Sequence, residues 1–314
     1  MTAPTEAEAR AVLIGNLSLF LSVVIWASML PVTEILLRQW DPISLAVVRL
    51  GAACLILNIA FVVTEGPAAY FRTLPWRAIW MLGASGIGVS TLFLIFGIAY
   101  SNAIIAGIIV TSGPVIGALL AKLMMGLPFR PGLWVGIALA VAGGLVMALG
   151  KVSGDAGFRG GELLILVGIT LWLAYSIGVQ QRLKGLSQLG ITALTSLTGV
   201  AVLCGLAAIA LGSGLIEQRM SLDMESVVLM AYLACGPAAL SILLWHFGVS
   251  RAGVTVASMY SNLTPAVVVL IAMTYGSYPT WWHLGGGVLI LAGVLYVQLR
   301  PRLDRRRAER KETR

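Results

Sequence analysis

Uninterrupted apolar runs, each near the ~20 residues needed to cross a hydrocarbon bilayer, recur from one end of this chain to the other. They cover residues 12–37, 43–63, 78–99, 103–125, 132–150, 161–180, 191–211, 227–249, 254–275 and 281–299. The longest connections are 64–77, 151–160 and 212–226, so no soluble domain fits between two runs. The 314 residues are 59% hydrophobic and 11% charged, whereas soluble domains are about a quarter charged. With so little polar surface, lipid is the solvent of the whole fold. The expectation is an all-α, multi-pass membrane protein of ten transmembrane helices.

The net charge of +8 does not point to nucleic acid, because eight of the 21 basic residues lie between Arg300 and Arg314. That segment reads as a basic cytoplasmic tail able to touch anionic membrane lipids. With an even number of spans both termini share a side. That side carries Arg10, Arg72, Arg77, Lys122, Arg130, Arg182, Lys184, Arg251 and the tail, against Arg38, Lys151, Arg159 and Arg219 opposite. The positive-inside rule then makes both termini cytoplasmic. The first run is longer than a signal-peptide core and reads as a retained span. Cys54, Cys204 and Cys235 all sit in apolar runs, with no metal-ligand spacing, so no disulfide framework, metal or cofactor is expected.

Laid together, the two halves of the chain match in order. Phe96-Gly97-Ile98 corresponds to Phe247-Gly248-Val249, and the same 151-residue offset carries Pro114 onto Pro265. Trp26 meets Trp172, and Gly136 and Gly143 meet Gly286 and Gly293. The organisation expected is a first repeat at 1–150, a second at 151–299 and the tail at 300–314. Five spans are an odd number, so the second repeat enters the bilayer from the opposite side. Two inverted repeats of one plan suit alternating access, with substrate near the midplane. A duplicated membrane scaffold without transport is the other reading of the same pattern.

Ionisable groups at membrane depth are functional candidates. Arg49 lies about a third of the way along the second run, where it either meets a substrate carboxylate or snorkels or pairs with a loop acid. Glu34 is explained by an i, i+4 partner, Arg38, and His246 by a neighbouring helix or a proton relay. No carboxylate lies at the centre of any run, so facilitated transport is expected in place of proton drive, with Glu34 or His246 as the fallback coupling residues. Prolines in apolar helices free a carbonyl one turn earlier. Around Pro114 and Pro265 cluster Thr111, Ser112, Tyr260, Ser261, Asn262 and Thr264. These groups either hold a zwitterionic head group, with Trp26, Trp172 and Tyr175 as an apolar wall, or patch the kinks and join helices. Gly136, Gly143, Gly286 and Gly293 read as helix-packing or dimer-contact positions; whether the unit is a monomer or a homodimer stays open.

At these residues the chain resembles the drug/metabolite transporter superfamily, in its ten-helix branch built from two EamA-type repeats. The likeness rests on Ile25-Trp26-Ala27-Ser28 and Leu171-Trp172-Leu173-Ala174, on the paired Phe-Gly elements, and on Thr111 and Asn262, three residues before Pro114 and Pro265. The Gly-Glu pair that follows the proline helix in many members is replaced by Gly126-Leu127 and Gly276-Ser277-Tyr278. The chain looks most like bacterial exporters of amino acids and related metabolites, including the aromatic amino-acid exporter type. That resemblance implies movement of a small amphipathic molecule out of the cytoplasm across the bacterial inner membrane. Export of cationic drugs is the alternative and asks for a buried carboxylate, which only Glu34 offers. Phosphorylated sugars ask for several cations. An intramembrane enzyme lacks a convergent acid–base, nucleophile or metal set.

Overall fold

The computed structural model describes residues 6–71, 73–126, 132–152, 160–252 and 260–312, and it is helical throughout, with no strand among them. Arg72, Arg130 and Arg159, and the stretch 253–259 that opens the ninth apolar run, lie outside the described residues, as does the side chain of His246. The helices are α1 (Glu6–Leu36), α2 (Pro42–Glu65), α3 (Trp76–Leu82), α4 (Ser90–Ala99), α5 (Ala103–Val110), α6 (Gly113–Met125), α7 (Leu133–Val152), α8 (Gly161–Arg182), α9 (Gln188–Gly212), α10 (Met224–Cys235), α11 (Ser241–Ala252), α12 (Thr264–Thr274) and α13 (Trp281–Glu312).

Among the described residues, six helical stretches are long and apolar enough to cross a membrane: Leu13–Leu36, Pro42–Glu65, Trp76–Ala99, Gly161–Arg182, Gln188–Gly212 and Met224–Trp245. The pair α5 and α6, bent by 48° between them, makes a seventh if counted as one span. Trp134–Val146, Ser261–Thr274 and Trp281–Tyr296 are shorter apolar helices. Leu55, Ile59, Val63, Leu163 and Ile209 stand exposed on the long helices, a surface that water would penalise and acyl chains accept.

Local chemistry starts and stops these helices. Asp41 Oδ1 accepts the Ile43 and Ser44 amides at 3.0 and 2.8 Å, with Pro42 at the first helical position of α2. Asn102 caps α5 through Ile105 N, Ser187 caps α9 through Gly190 N, and Asp223 caps α10 through Ser226 N. Gly126 ends α6 in the left-handed region, at φ 65°. The last helix, α13, runs on to Glu312, so the basic segment is a helical continuation of the final apolar run. Its Arg, Glu, Lys and Ala residues are good helix formers.

Two of the long stretches carry a π-helical turn, Gly83–Val89 between α3 and α4 and Gly236–Leu240 between α10 and α11. Such turns hold one extra residue and concentrate at functional positions. They occupy equivalent places, since the 151-residue offset carries 85–89 onto 236–240.

Packing is reciprocal. α1 lies along α11 as α8 lies along α4, and α10 lies against α2 as the first π-helical turn lies against α9. α2 pairs with α9, α5 with α12 and α7 with α13. The glycines singled out in the sequence sit at these seams. A methyl on Gly97 would stand 2.5 Å from Ile165 Cγ1 and 2.9 Å from Gly161 O, and one on Gly248 would stand 2.6 Å from Leu19 Cγ and 2.9 Å from Gly15 O. Gly143 and Gly293 make the same kind of close approach to Gly286 O and Gly136 O, at 2.5 and 2.9 Å, within the α7–α13 pair.

Candidate functional site

Trp172 and Tyr175 lie three residues apart, on one face of α8. Their rings are 5.4 Å apart and inclined by 36°. Tyr175 is buried, and a methyl on Gly86 of the first π-helical turn would stand 2.1 Å from its Cβ, so the turn is moulded onto the tyrosine. The Tyr175 hydroxyl is 3.1 Å from Thr195 Oγ1 on α9. Thr195 in turn donates to Ile191 O at 2.7 Å, so its free lone pair receives the tyrosine proton and the pair is satisfied.

The 146-residue spacing that carries Trp26 to Trp172 also carries Met29 to Tyr175 and Arg49 to Thr195. The first half makes the equivalent contact: Arg49 on α2 reaches α1, and its Nη1 donates to Met29 Sδ. Arg49 is 4% exposed, and its Nε has no hydrogen-bond partner. Among the described residues no ion pair reaches it, and its guanidinium turns inward to α1. Leaving a guanidinium in a dry interior without a counter-charge costs several kcal/mol. Thr33 follows Met29 by one turn on α1; it is fully buried, and its Oγ1 also lacks a partner. Trp26 packs half-buried against the core one turn before Met29.

The proline helices hold polar groups at a break. Thr111 and Ser112 fill the gap between α5 and α6, both buried, and their hydroxyls donate to Ile108 O at 2.6 Å and Ile109 O at 2.7 Å. Pro114, second residue of α6, offers no amide to the Val110 carbonyl, and the chain bends there. In the second half a short 3-10 turn, Ser261–Leu263, precedes α12, whose second residue is Pro265. Tyr260 precedes that turn and Asn262 is its middle residue, both half-buried.

Glu34 does not turn to Arg38. Its Oε2 accepts the Ala103 amide at 2.8 Å, tying the end of α1 to the start of α5, while Arg38 is exposed. The bare amides at a helix start are a stronger attraction for a carboxylate than a solvated arginine one turn away. Nearby, Asp41 and Arg219 are joined twice: Asp41 N donates to the Arg219 carbonyl at 2.8 Å, and Arg219 N donates to the Asp41 carboxylate Oδ2 at 3.0 Å. Ser226 Oγ adds a bond to Gln39 Oε1 at 3.1 Å, so the α1–α2 turn is clamped to the segment before α10. A shallow cleft of about 600 Å³ at the α12–α13 turn is lined by Tyr278, Trp281 and Trp282. It is an exposed aromatic dish of the sort found at membrane–water interfaces, apart from the paired contacts above.

Met29, Thr195, Thr33 and the two π-helical turns are absent from the residues that the sequence singles out. The signal for the first two was available, because the Trp26–Trp172 offset, extended by one turn and then to the next helix, lands on them.

Comparison with known proteins agrees with this architecture. The model of the EamA-like transporter family matches twice, over residues 13–149 and 159–299. The chain is 25% identical over 295 residues to a probable terminal-alkyne amino-acid exporter of Streptantibioticus cattleyicolor, covering 92% of this chain and 95% of that protein. It is 24% identical to the uncharacterized transporter YyaM of Bacillus subtilis over 82% of this chain and 84% of that one. It is 26% identical to the inner membrane transporter YedA of Escherichia coli over 88% and 89%. A protein of known crystal structure, 20% identical, superposes with a TM-score of 0.65 over 94% of this chain and 98% of its own length, which shows a shared fold.

Proposed function

This chain belongs to the EamA-like transporter family, and from that premise we propose that it exports small amphipathic, net-neutral metabolites, amino acids foremost, across the bacterial inner membrane. The working unit of the proposal has ten spans in two inverted repeats of five, with both termini in the cytoplasm. The observation that carries it is the reciprocal packing, in which α1 meets α11 as α8 meets α4, while α2, α5 and α7 meet their own counterparts α9, α12 and α13. A fold built so exchanges inward-facing and outward-facing states by swapping the conformations of its halves. The short apolar helices Trp134–Val146, Ser261–Thr274 and Trp281–Tyr296 and the bent α5–α6 pair complete the ten.

The bound molecule lies between the halves, with Trp26, Trp172 and Tyr175 against its side chain. Thr111 and Ser112 donate to carbonyls of their own helix, which leaves hydroxyl lone pairs to accept from an ammonium group, and Tyr260 and Asn262 serve the equivalent place in the second half. Transport follows the substrate's own gradient. Glu34 is held by a helix start, so the carboxylate that a cationic drug would need is already engaged. The similarity to a probable amino-acid exporter supports the substrate class.

The test is uptake of labelled phenylalanine and leucine into proteoliposomes of the purified protein, with and without an imposed pH gradient. Equal uptake in both conditions is expected. Uptake of neither amino acid would overturn the substrate class, and uptake that vanishes with the gradient would overturn the facilitated mechanism.

A further inference from the structure

We propose that Arg49 is the group that reads the carboxylate of the transported molecule, so that the protein discriminates acids and zwitterions from the corresponding amides. The inference rests on the transporter reading above and adds which pole of the substrate is recognised and from which half of the chain.

Three features lead there. First, Arg49 is 4% exposed, yet its Nε has no hydrogen-bond partner among the described residues. An arginine serving only to join helices finds carbonyls or an acid, since every unpaired guanidinium proton is expensive inside lipid. Second, the acceptor that it meets among the described residues is the Met29 thioether, a weak acceptor on a flexible side chain. Third, Thr33 brings another unpartnered, fully buried hydroxyl to the same face of α1, one turn from Met29. The guanidinium can only donate and the hydroxyl is able to, so an anion with two oxygens satisfies both together. A guanidinium edge matches a carboxylate in a paired geometry that an ammonium or a neutral amide does not use.

The placement suits a ligand that comes and goes. α4 and α10 each lie against both α1 and α2, so Arg49 reaches from α2 to α1 where these four helices meet. A carboxylate arriving there displaces a thioether, not a salt bridge, and restores to the guanidinium what dehydration removed. The second half has no cation at the equivalent position, where Thr195 and Tyr175 satisfy each other. One carboxylate per transport cycle follows.

The experiment uses the purified full chain in detergent and pairs of probes that differ only in the acid group: phenylalanine with phenylalaninamide, and 3-phenylpropionate with 3-phenylpropionamide. Binding is read as the rise in thermal midpoint with probe concentration, for the wild type, Arg49→Gln, Arg49→Lys and, as a control that removes an exposed cation elsewhere, Arg182→Gln. The acid members are expected to stabilise the wild type and Arg182→Gln and the amides to have little effect; Arg49→Gln should weaken acid binding at least about tenfold and Arg49→Lys by less. Equal stabilisation by acid and amide, acid binding undiminished in Arg49→Gln, or no stabilisation of the wild type by either acid would each overturn the assignment. Labelled phenylalanine uptake, run in parallel, separates the two proposals. Uptake that persists in Arg49→Gln sinks the role of Arg49 alone, whereas acid-selective stabilisation without uptake sinks the amino-acid reading and keeps Arg49.

Discussion

Arg49 with Met29 in the first half and Thr195 with Tyr175 in the second occupy the same two places, the second and first helices of each stretch that matches the family. The second pair is neutral, and each hydroxyl has a partner. The first is charged and leaves Nε bare. The backbone positions agree and the chemistry does not, which teaches what duplication constrains and what it releases. The proposed alternating access asks the two halves for interchangeable shapes, which would hold helix packing common. On the proposed reading the substrate has no two-fold symmetry, so the side chains that face it are free to diverge, and one half comes to carry the charge.

Exchanging the chemistry is the strongest way to break that contrast. Giving the first half the second half's pair, as Met29→Tyr with Arg49→Thr, should leave the fold intact and reduce uptake of carboxylate-bearing substrate about a hundredfold, the scale of removing one partner of a buried charge contact. Uptake close to wild type would mean that the two places are equivalent in function as well as in position. Next in size, and opposite in sign for stability, is Arg49→Met. A buried, uncompensated cation replaced by an apolar side chain of similar length should stabilise the substrate-free protein by about 1–4 kcal/mol. Unfolding in detergent reads this directly, and a fall in the midpoint would show that Arg49 contributes to the fold and that its bare Nε is not a cost.

The contrast also separates what could be read along the chain from what could not. Phe96-Gly97 and Phe247-Gly248 were visible as a doubled element, and their glycines sit where α4 meets α8 and α11 meets α1. Gly143 and Gly286 were visible as a small-residue stripe and meet within one α7–α13 seam. Close approach leaves a mark in sequence because only one residue type permits it. Arg49 was visible as a charge in an apolar run, but its isolation was not, because the absence of a partner is a property of neighbours distant in sequence. The π-helical turns at Gly83–Val89 and Gly236–Leu240 share no residue at the matched positions 85–89 and 236–240, so no repeated motif announces them. Glu34 shows a third case: the local partner, Arg38, was the obvious one, and a helix start 69 residues away outcompeted it.

Smaller effects sharpen the neutral side of the comparison. Thr195→Val leaves the Tyr175 proton buried without an acceptor and should cost about 1–3 kcal/mol, whereas Tyr175→Phe removes that donor and leaves Thr195 still bonded to Ile191 O, a change well below 1 kcal/mol beyond the lost packing of one oxygen. The double variant should then be milder than Thr195→Val alone, a non-additivity measured by a double-mutant cycle on unfolding free energy. Equal penalties for the two single variants would reverse the donor and acceptor assigned here.

The same offset gives the mildest comparison, because it carries the α2 cap, Asp41, onto the α9 cap, Ser187. Both side chains receive amides at a helix start, but Asp41 also binds Arg219 N through Oδ2, whereas the Ser187 hydroxyl donates to Glu65 at the end of α2. Ser187→Ala should cost about 1 kcal/mol, the ordinary worth of a cap. Asp41→Ala should exceed it, since the clamp between the α1–α2 turn and the segment before α10 goes with the cap. If the clamp helps to hold one side of the protein closed, Asp41→Ala should also raise the rate at which a cysteine placed at Arg38 is labelled by a membrane-impermeant maleimide, while Ser187→Ala leaves that rate unchanged. Equal labelling in the two variants would reduce Asp41 to a cap like its counterpart, and the difference between the halves would then rest on Arg49 alone.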